Sequence, residues 1–281
     1  MHRGRRSHLQ LLRADQDPWR ITDRGPSPRN VIALLRRWWT LYSRQLLAIV
    51  NGPPGDVPTS RELTEVQSRL QIAPPVAMSG KAYARAAVPI TARASRQAIA
   101  GLLRAGLPPV EVDRRLGVVP TSPFAVDIEG IDLLRSLERD ALTQWARDGL
   151  GYINAVPTRQ LEGLDVLLTE AITQGKTWRT LRRELRGQLA VSRRHLDLIA
   201  RDQTAKLNGR ITQAMHAGAG VRRYRWRANL DERTRASHVA AHGLIVDWAS
   251  PGVPGTGFYG EPAHAGQAGQ CRCTAEPIVE F

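Results

Sequence analysis

The tightest constraint on this chain lies between residues 192 and 228, where the hydrophobic period changes from that of a helix to that of a strand. In "SRRHLDLIARDQTAKLNGRITQAMHAG" the residues Leu196, Ala200, Leu207, Ile211, Ala214 and Met215 form one apolar stripe at helical spacing. Ser192 is placed to cap this helix, and Gly218 and Gly220 to end it. Its polar side carries Arg194, Arg201 and Lys206. Immediately beyond, "RRYRWRA" alternates. Tyr224, Trp226 and Ala228 fall on one face of a strand, and Arg223, Arg225 and Arg227 on the other. A chain patterned in this way closes a helical segment and opens a half-buried strand with a cationic outer face.

The stretches on either side fit an α+β protein: a mainly helical N-terminal body followed by a small C-terminal α+β module. A helix capped by Asn30 carries Val31, Leu34, Leu35, Trp38, Leu41, Tyr42 and Leu46 on one side. "NGPPGDVPTS", 51–60, is a loop, and a second helix opens at Ser60 and breaks at "QIAPPVAMSG", 71–80. Residues 81–105 read as helix with a kink or boundary near Pro89, and 105–124 as loops or short strands. Helix resumes from Ile128, with Ile131, Leu134, Leu137, Leu142 and Trp145 inward, and then comes as two short helices about a turn at Gly175. After the strand, Asp231 is expected to cap a short helix over 232–242, "LIVDW" at 244–248 to be a second strand, and "CRCTAEPIV" a last one, across a loop rich in Gly and Pro. The expected organisation is a basic arm, 1–27, a helical body, 28–219, and a module, 220–281, ending in "CRC".

Charge narrows the partners. The formal net charge is +14, and all but Lys81, Lys176 and Lys206 of the 40 basic residues are arginine. Residues 1–50 hold ten Arg against three Asp, and residues 176–227 hold fourteen Lys and Arg against three acids. Clustering of this kind is the footprint of a surface facing phosphate or an acidic partner, and arginine suits planar two-pronged contacts with either. The longest apolar runs, such as "LLAIV" at 46–50, are far too short to cross a bilayer, so no membrane association is expected. Two cysteines in 281 residues do not make a disulfide scaffold, and a reducing compartment is the better expectation. No secretory leader is evident at the N-terminus.

The residues that carry chemistry gather late in the chain. On a helix, Asp231, Arg235, His238 and His242 share one polar face, and two histidines four apart can clasp one ion. Cys271 and Cys273, alternating on a strand, point to one side. Together His238, His242, Cys271 and Cys273 make a candidate tetrahedral zinc set, with His264 a competing ligand. The alternative is two reduced, packed thiols with the histidines bonded to backbone or carboxylate. A Cys271–Cys273 disulfide would close a strained ring. Asp231, His238 and His242 on a basic surface also admit a metal-dependent nuclease. No Glu follows the first histidine as in a metalloprotease helix, and no nucleophile elbow, P-loop or dinucleotide fingerprint is present.

The run "IARDQTAKLNGRI", then "YRWRANLDERTRASHVAAHG", a Gly/Pro-rich loop and "CRCTAEP" resembles the phage Mu protein F-like family of minor head proteins, also called head morphogenesis proteins. The resemblance covers roughly residues 195–277. It implies a structural component of a tailed-phage virion rather than an enzyme. Such proteins act in head assembly at or near the portal vertex, with portal protein and major capsid protein as partners. The expected location is the virion head, and the host cytoplasm during assembly. Some members bind DNA, so double-stranded DNA is a candidate partner, and an internal or ejected DNA-binding virion protein is the alternative reading. Other members place C-x-x-C where this chain has Arg235 and His238, so one ligand type is kept as histidine and one is replaced by arginine. Arg223, Arg225 and Arg227 are then candidate phosphate contacts, and Asp231, Arg233 and Arg235 structural residues of the motif.

Overall fold

The computed structural model describes residues 28–72, 78–116 and 136–280. The expected N-terminal arm, 1–27, lies outside them, as do the positions of Ile131 and Leu134. Six helices come first: α1 (Arg29–Ile49), α2 (Ser60–Ile72), α3 (Gly80–Arg104), α4 (Pro109–Leu116), α5 (Ser136–Gln174) and α6 (Trp178–Gly218). A short strand β1 (Arg223–Arg227), a single-turn helix α7 (Ala236–Ala240), β2 (Ile245–Asp247) and β3 (Thr274–Ile278) complete the chain. The sheet is antiparallel with β1 in the centre, in the order β2-β1-β3. The mainly helical body with a small α+β module is the architecture expected from the two periods.

Two compact units divide the chain, one built from 29–86 and 146–201, the other from 87–145 and 202–281 where described. In the first unit, α1 buries Val31, Leu35, Trp39, Tyr42 and Leu46 at three- and four-residue spacing. The Trp39 indole donates to the Leu189 carbonyl at 3.0 Å, which satisfies the ring's polar atom inside the core. Helix α2 opens on a capping box. The Thr59 backbone donates to Glu62 at 2.7 Å, and the Glu62 N–H returns to the Thr59 hydroxyl at 3.3 Å.

The long helices differ from expectation. Helix α6 runs unbroken through Ser192, because Leu181, Leu185, Leu189, Leu196 and Ala200 continue one buried stripe across that position. The Ser192 hydroxyl donates to the Gln160 side chain at 2.9 Å instead of capping a helix start. Helix α5 likewise continues through Pro157, and α3 through Pro89. The turn at Gly175 is present, with φ of +61°, and Lys176 beside it bridges Glu170 and Glu184 at 2.5 and 3.0 Å.

In the second unit the C-terminal part of α6 is bonded to the loop ahead of β3. Asp202 accepts the Gln270 N–H at 2.6 Å, Gln213 accepts from the Gln267 side chain at 2.8 Å, and Trp145 donates to the Gln203 carbonyl at 2.6 Å. Gly209 lies against the backbone of Gly266, where a Cβ would come within 3.2 Å of its carbonyl group. Along β1, Tyr224 and Trp226 are fully buried while Arg223 and Arg225 face solvent, as the alternation requires. Around the two rings the core consists of Ala228, Ala241, Val246, Ala265, Ala268, Cys271, Cys273 and Ala275, with Trp248 packed at its edge. Each ring contributes on the order of 2–3 kcal/mol through area removed from water, so two side chains supply much of the apolar stabilisation of this module.

Two consequences are measurable. Gly252 has φ of +101°, and a Cβ there would come within 2.3 Å of the Ala263 backbone, whereas Gly255, φ +77°, has open space around it. Gly252→Ala is therefore expected to lower stability by more than about 2 kcal/mol and Gly255→Ala by about 1 kcal/mol, read as urea midpoints. The second concerns His216, fully buried, whose Nδ1 accepts the Trp248 indole N–H at 3.3 Å. Burial pulls its pKa down to about 3. The unfolded chain takes up a proton below pH ~6.5 that the folded chain refuses, so stability falls as pH drops from that value towards 3. His216→Gln is expected to remove about one proton's worth of this slope, roughly 1.4 kcal/mol per pH unit, in denaturation series between pH 7 and pH 5.

Candidate metal centre

Three of the side chains singled out in the sequence converge. His238 Nδ1 lies 3.3 Å from Cys273 Sγ and 3.5 Å from Cys271 Sγ, and the three ligand atoms all fall within 4.8 Å of one another. All three residues are buried, and neither cysteine is in a disulfide. Helix α7 supplies the histidine. The segment just before β3 supplies the cysteines, which precede the strand rather than alternate within it. Cys271 is held by its N–H to the Ala268 carbonyl at 3.1 Å, and the Cys273 N–H points at the Cys271 sulfur at 3.4 Å.

The other edge of the imidazole is fixed by backbone. His238 Nε2 meets the Thr256 carbonyl at 2.9 Å, and since a carbonyl only accepts, Nε2 carries a proton and Nδ1 is the atom aimed at the sulfurs. Thr256 is itself buried, its hydroxyl donating to the Val253 carbonyl at 2.6 Å. The Trp226 ring stands edge-on to His238, with centroids 5.7 Å apart. Within the trio, the Cys273 thiol and His238 hold the Cys271 thiol well below its ordinary range. Cys271 in turn pushes Cys273 up, and raises the His238 ring.

The remaining predicted residues go elsewhere, for identifiable reasons. His242 does not join the trio: its Nδ1 accepts the Ala228 N–H at 3.2 Å. His264 does not either. Its Nε2 donates to the Ser250 carbonyl at 2.9 Å and its Nδ1 faces the Tyr224 hydroxyl at 3.1 Å, with the Trp248 ring tilted against it at 4.9 Å between centroids. The four-residue set expected from sequence is thus reduced to three among the described residues. Asp231 does not cap a helix over 232–242. Helix α7 starts only at Ala236, with Arg235 as an N-cap that makes no side-chain cap bond. The Asp231 carboxylate closes its own turn instead, accepting from the Arg233 N–H and the Thr234 hydroxyl, each at 3.1 Å, and from Asn229 at 2.7 Å.

That carboxylate also takes a two-pronged bond from Arg272, one prong at 2.5 Å, which holds it well below the usual carboxylate range. Arg272 lies between the two cysteines, so its outward side chain anchors the segment whose inward side chains form the trio. Nothing in the sequence marks Arg272 for this, nor Thr256, which contributes only a backbone carbonyl. Arg235 donates to the Gly269 carbonyl, and the Arg233 guanidinium is exposed, 3.9 Å from Asp231. A nuclease site from Asp231, His238 and His242 is not assembled, because the three are directed at an arginine, two thiols and a backbone amide.

The strand arginines face outward as expected but are paired. Arg223 bonds Glu280 through Nε at 2.8 Å, Arg227 bonds Glu276 at 2.6 Å, and Arg225 lies 3.8 Å from Glu276.

Residues 162–276 match the family described as Phage Mu protein F like protein. An uncharacterized protein of Haemophilus influenzae is 30% identical over 128 residues, which make up 46% of this chain. The matched stretch spans only 27% of that relative's length. No solved structure matches the chain. The matched segment begins inside α5, takes in all of α6, and ends in β3, so it contains the whole buried trio, with α7 and the segment before β3 that supply it. Over this segment the chain is similar to the phage Mu protein F-like family.

Proposed function

We propose that this chain is a structural minor head protein that acts in phage head morphogenesis at or near the portal vertex, where it binds portal and major capsid protein. The family match over 162–276 carries this reading. A surface feature supports a protein partner. Within the Gly/Pro-rich loop, Phe258 and Tyr259 are 63% and 92% exposed, edge to face with centroids 4.9 Å apart. Their backbone N–H groups are pinned by Glu261 at 3.0 and 2.8 Å, so the pair is presented on a braced turn. Exposed, pre-ordered aromatic rings are the side chains that most often anchor interfaces. Phe258→Ser with Tyr259→Ser is expected to cut co-sedimentation with procapsids at least tenfold while leaving the melting temperature unchanged. Recovery of the wild-type chain only as a free monomer from infected cells would overturn the assignment.

Contact with packaged DNA is a second reading, and one observation favours it. Along α6, Arg179, Arg183, Arg186, Arg193, Arg194 and Arg201 are all exposed and fall within an arc of about 100° of the helix surface, at successive spacings of four, three, seven, one and seven residues. At ~1.5 Å per residue the row is about 33 Å long, close to one turn of a duplex. The acid within it, Asp197, is neutralised by a two-pronged bond from Arg36 of α1 at 2.7 and 3.0 Å. This row, rather than the paired Arg223, Arg225 and Arg227, is the better phosphate contact. Neutral substitutions along it are expected to reduce the salt dependence of duplex binding by ~0.9 in log–log slope for each phosphate that is no longer neutralised. Serine at Arg223, Arg225 and Arg227 is expected to change the slope less, and the reverse ranking in anisotropy titrations would return the contact to the strand.

A further inference from the structure

We propose that His238 Nδ1, Cys271 Sγ and Cys273 Sγ together bind one zinc ion, which ties α7 and the Gly/Pro-rich loop to the start of β3. The distances suit the ion. With Zn–N near 2.0–2.1 Å and Zn–S near 2.3 Å, tetrahedral angles set nitrogen and sulfur about 3.5 Å apart. The two observed separations are 3.3 and 3.5 Å. Proton count points the same way. Because Nε2 is committed to the Thr256 carbonyl, a single proton at the Nδ1 side can serve one of the two sulfurs, whereas one cation serves all three atoms.

Orientation adds to both. A ligating histidine ordinarily donates its other ring N–H to a carbonyl or carboxylate, which sets the tautomer and aims the lone pair. Thr256 does this here, and its own hydroxyl is tied back into the loop. The Cys273 N–H directed at the Cys271 sulfur is a bond that favours a thiolate. Two thiolates also cancel the charge of Zn²⁺, so the filled site is neutral where all three residues are buried. The chain needs such a tie, because the module's core beyond two aromatic rings is mostly alanine. Three protein ligands leave the fourth position of a tetrahedral ion to a solvent oxygen. Arg235, one turn ahead of His238, is turned away to Gly269.

The deciding measurement uses the intact chain, purified without chelator under reducing conditions. About one equivalent of zinc is expected by metal analysis, and both thiols should resist a thiol reagent until a chelator is added. Exchange with Co²⁺ should give the intense absorption of a tetrahedral thiolate complex, lost in Cys273→Ser. His238→Cys is expected to keep the metal, because it offers a third thiolate at the same position, which separates loss of a ligand from loss of fold. A folded chain that carries less than about a tenth of an equivalent and takes up neither Zn²⁺ nor Co²⁺ from solution would overturn the assignment. So would an intact mass showing Cys271 and Cys273 joined in a disulfide. Zinc binding does not depend on the chain's partners, and it stands or falls apart from the procapsid experiment.

Discussion

The C-terminal module depends on one strand burying two large rings. Tyr224 and Trp226 lie on the inner face of β1, and β1 is the only strand with a neighbour on both sides among the described residues. The buried residues around them are small, five alanines, two cysteines and one valine, with Trp248 at the edge. Small partners let backbones approach closely, which is why Gly266 can rest on Gly209 of α6 and why Gly252 lies under the Ala263 backbone. They also supply little burial of their own, so the loop between β2 and β3 must be held by directional bonds.

Those bonds come chiefly from histidines whose protons are assigned by what they face. His264 donates to Ser250 and leaves its other nitrogen to Tyr224, whose hydroxyl also accepts the Ala265 N–H at 3.2 Å. His238 donates to Thr256 and turns its second nitrogen to the sulfurs. His216 accepts from Trp248, which lies tilted against Tyr224 with centroids 4.2 Å apart. Of these, His216 and His264 are costly to charge because burial lowers both, and so this part of the fold is sensitive to acid through them. On the outer face, Arg272 and Asp231 close the same segment from the solvent side. The result is a loop-rich unit whose order rests on a few two-sided connections rather than on a deep apolar core.

The placement of positive charge follows from the same architecture. A short antiparallel sheet sets β1 and β3 residues directly opposite one another, and Arg225 pairs in register with Glu276. The arginines of the strand are consumed in holding their neighbour. A long helix has no such cross-strand partner, so the arginines of α6 remain presented to solvent in a row. Charge density read from the sequence locates both segments equally, and only pairing tells them apart.

Several features are legible in the residues alone. The change of period marks where the helix stops and the strand starts, because the side-chain repeat is imposed by backbone geometry and not by neighbours. Gly175 and Gly220 mark the turns, since both adopt a positive φ that favours glycine. The convergence of His238 with Cys271 and Cys273 is readable as a set of ligand types at compatible spacing. Helix continuity through Ser192 is not readable, because a serine caps or bridges according to what stands opposite, and Gln160 is 32 residues away. The exclusion of His242 and His264 is likewise decided by a backbone amide and a tyrosine brought close only by folding. Sequence by itself determined the elements and the candidate ligands, since these depend on local repeat and residue type. Tertiary structure alone decided which histidine faces sulfur and which arginines the sheet consumes in ion pairs, since both depend on partners distant along the chain.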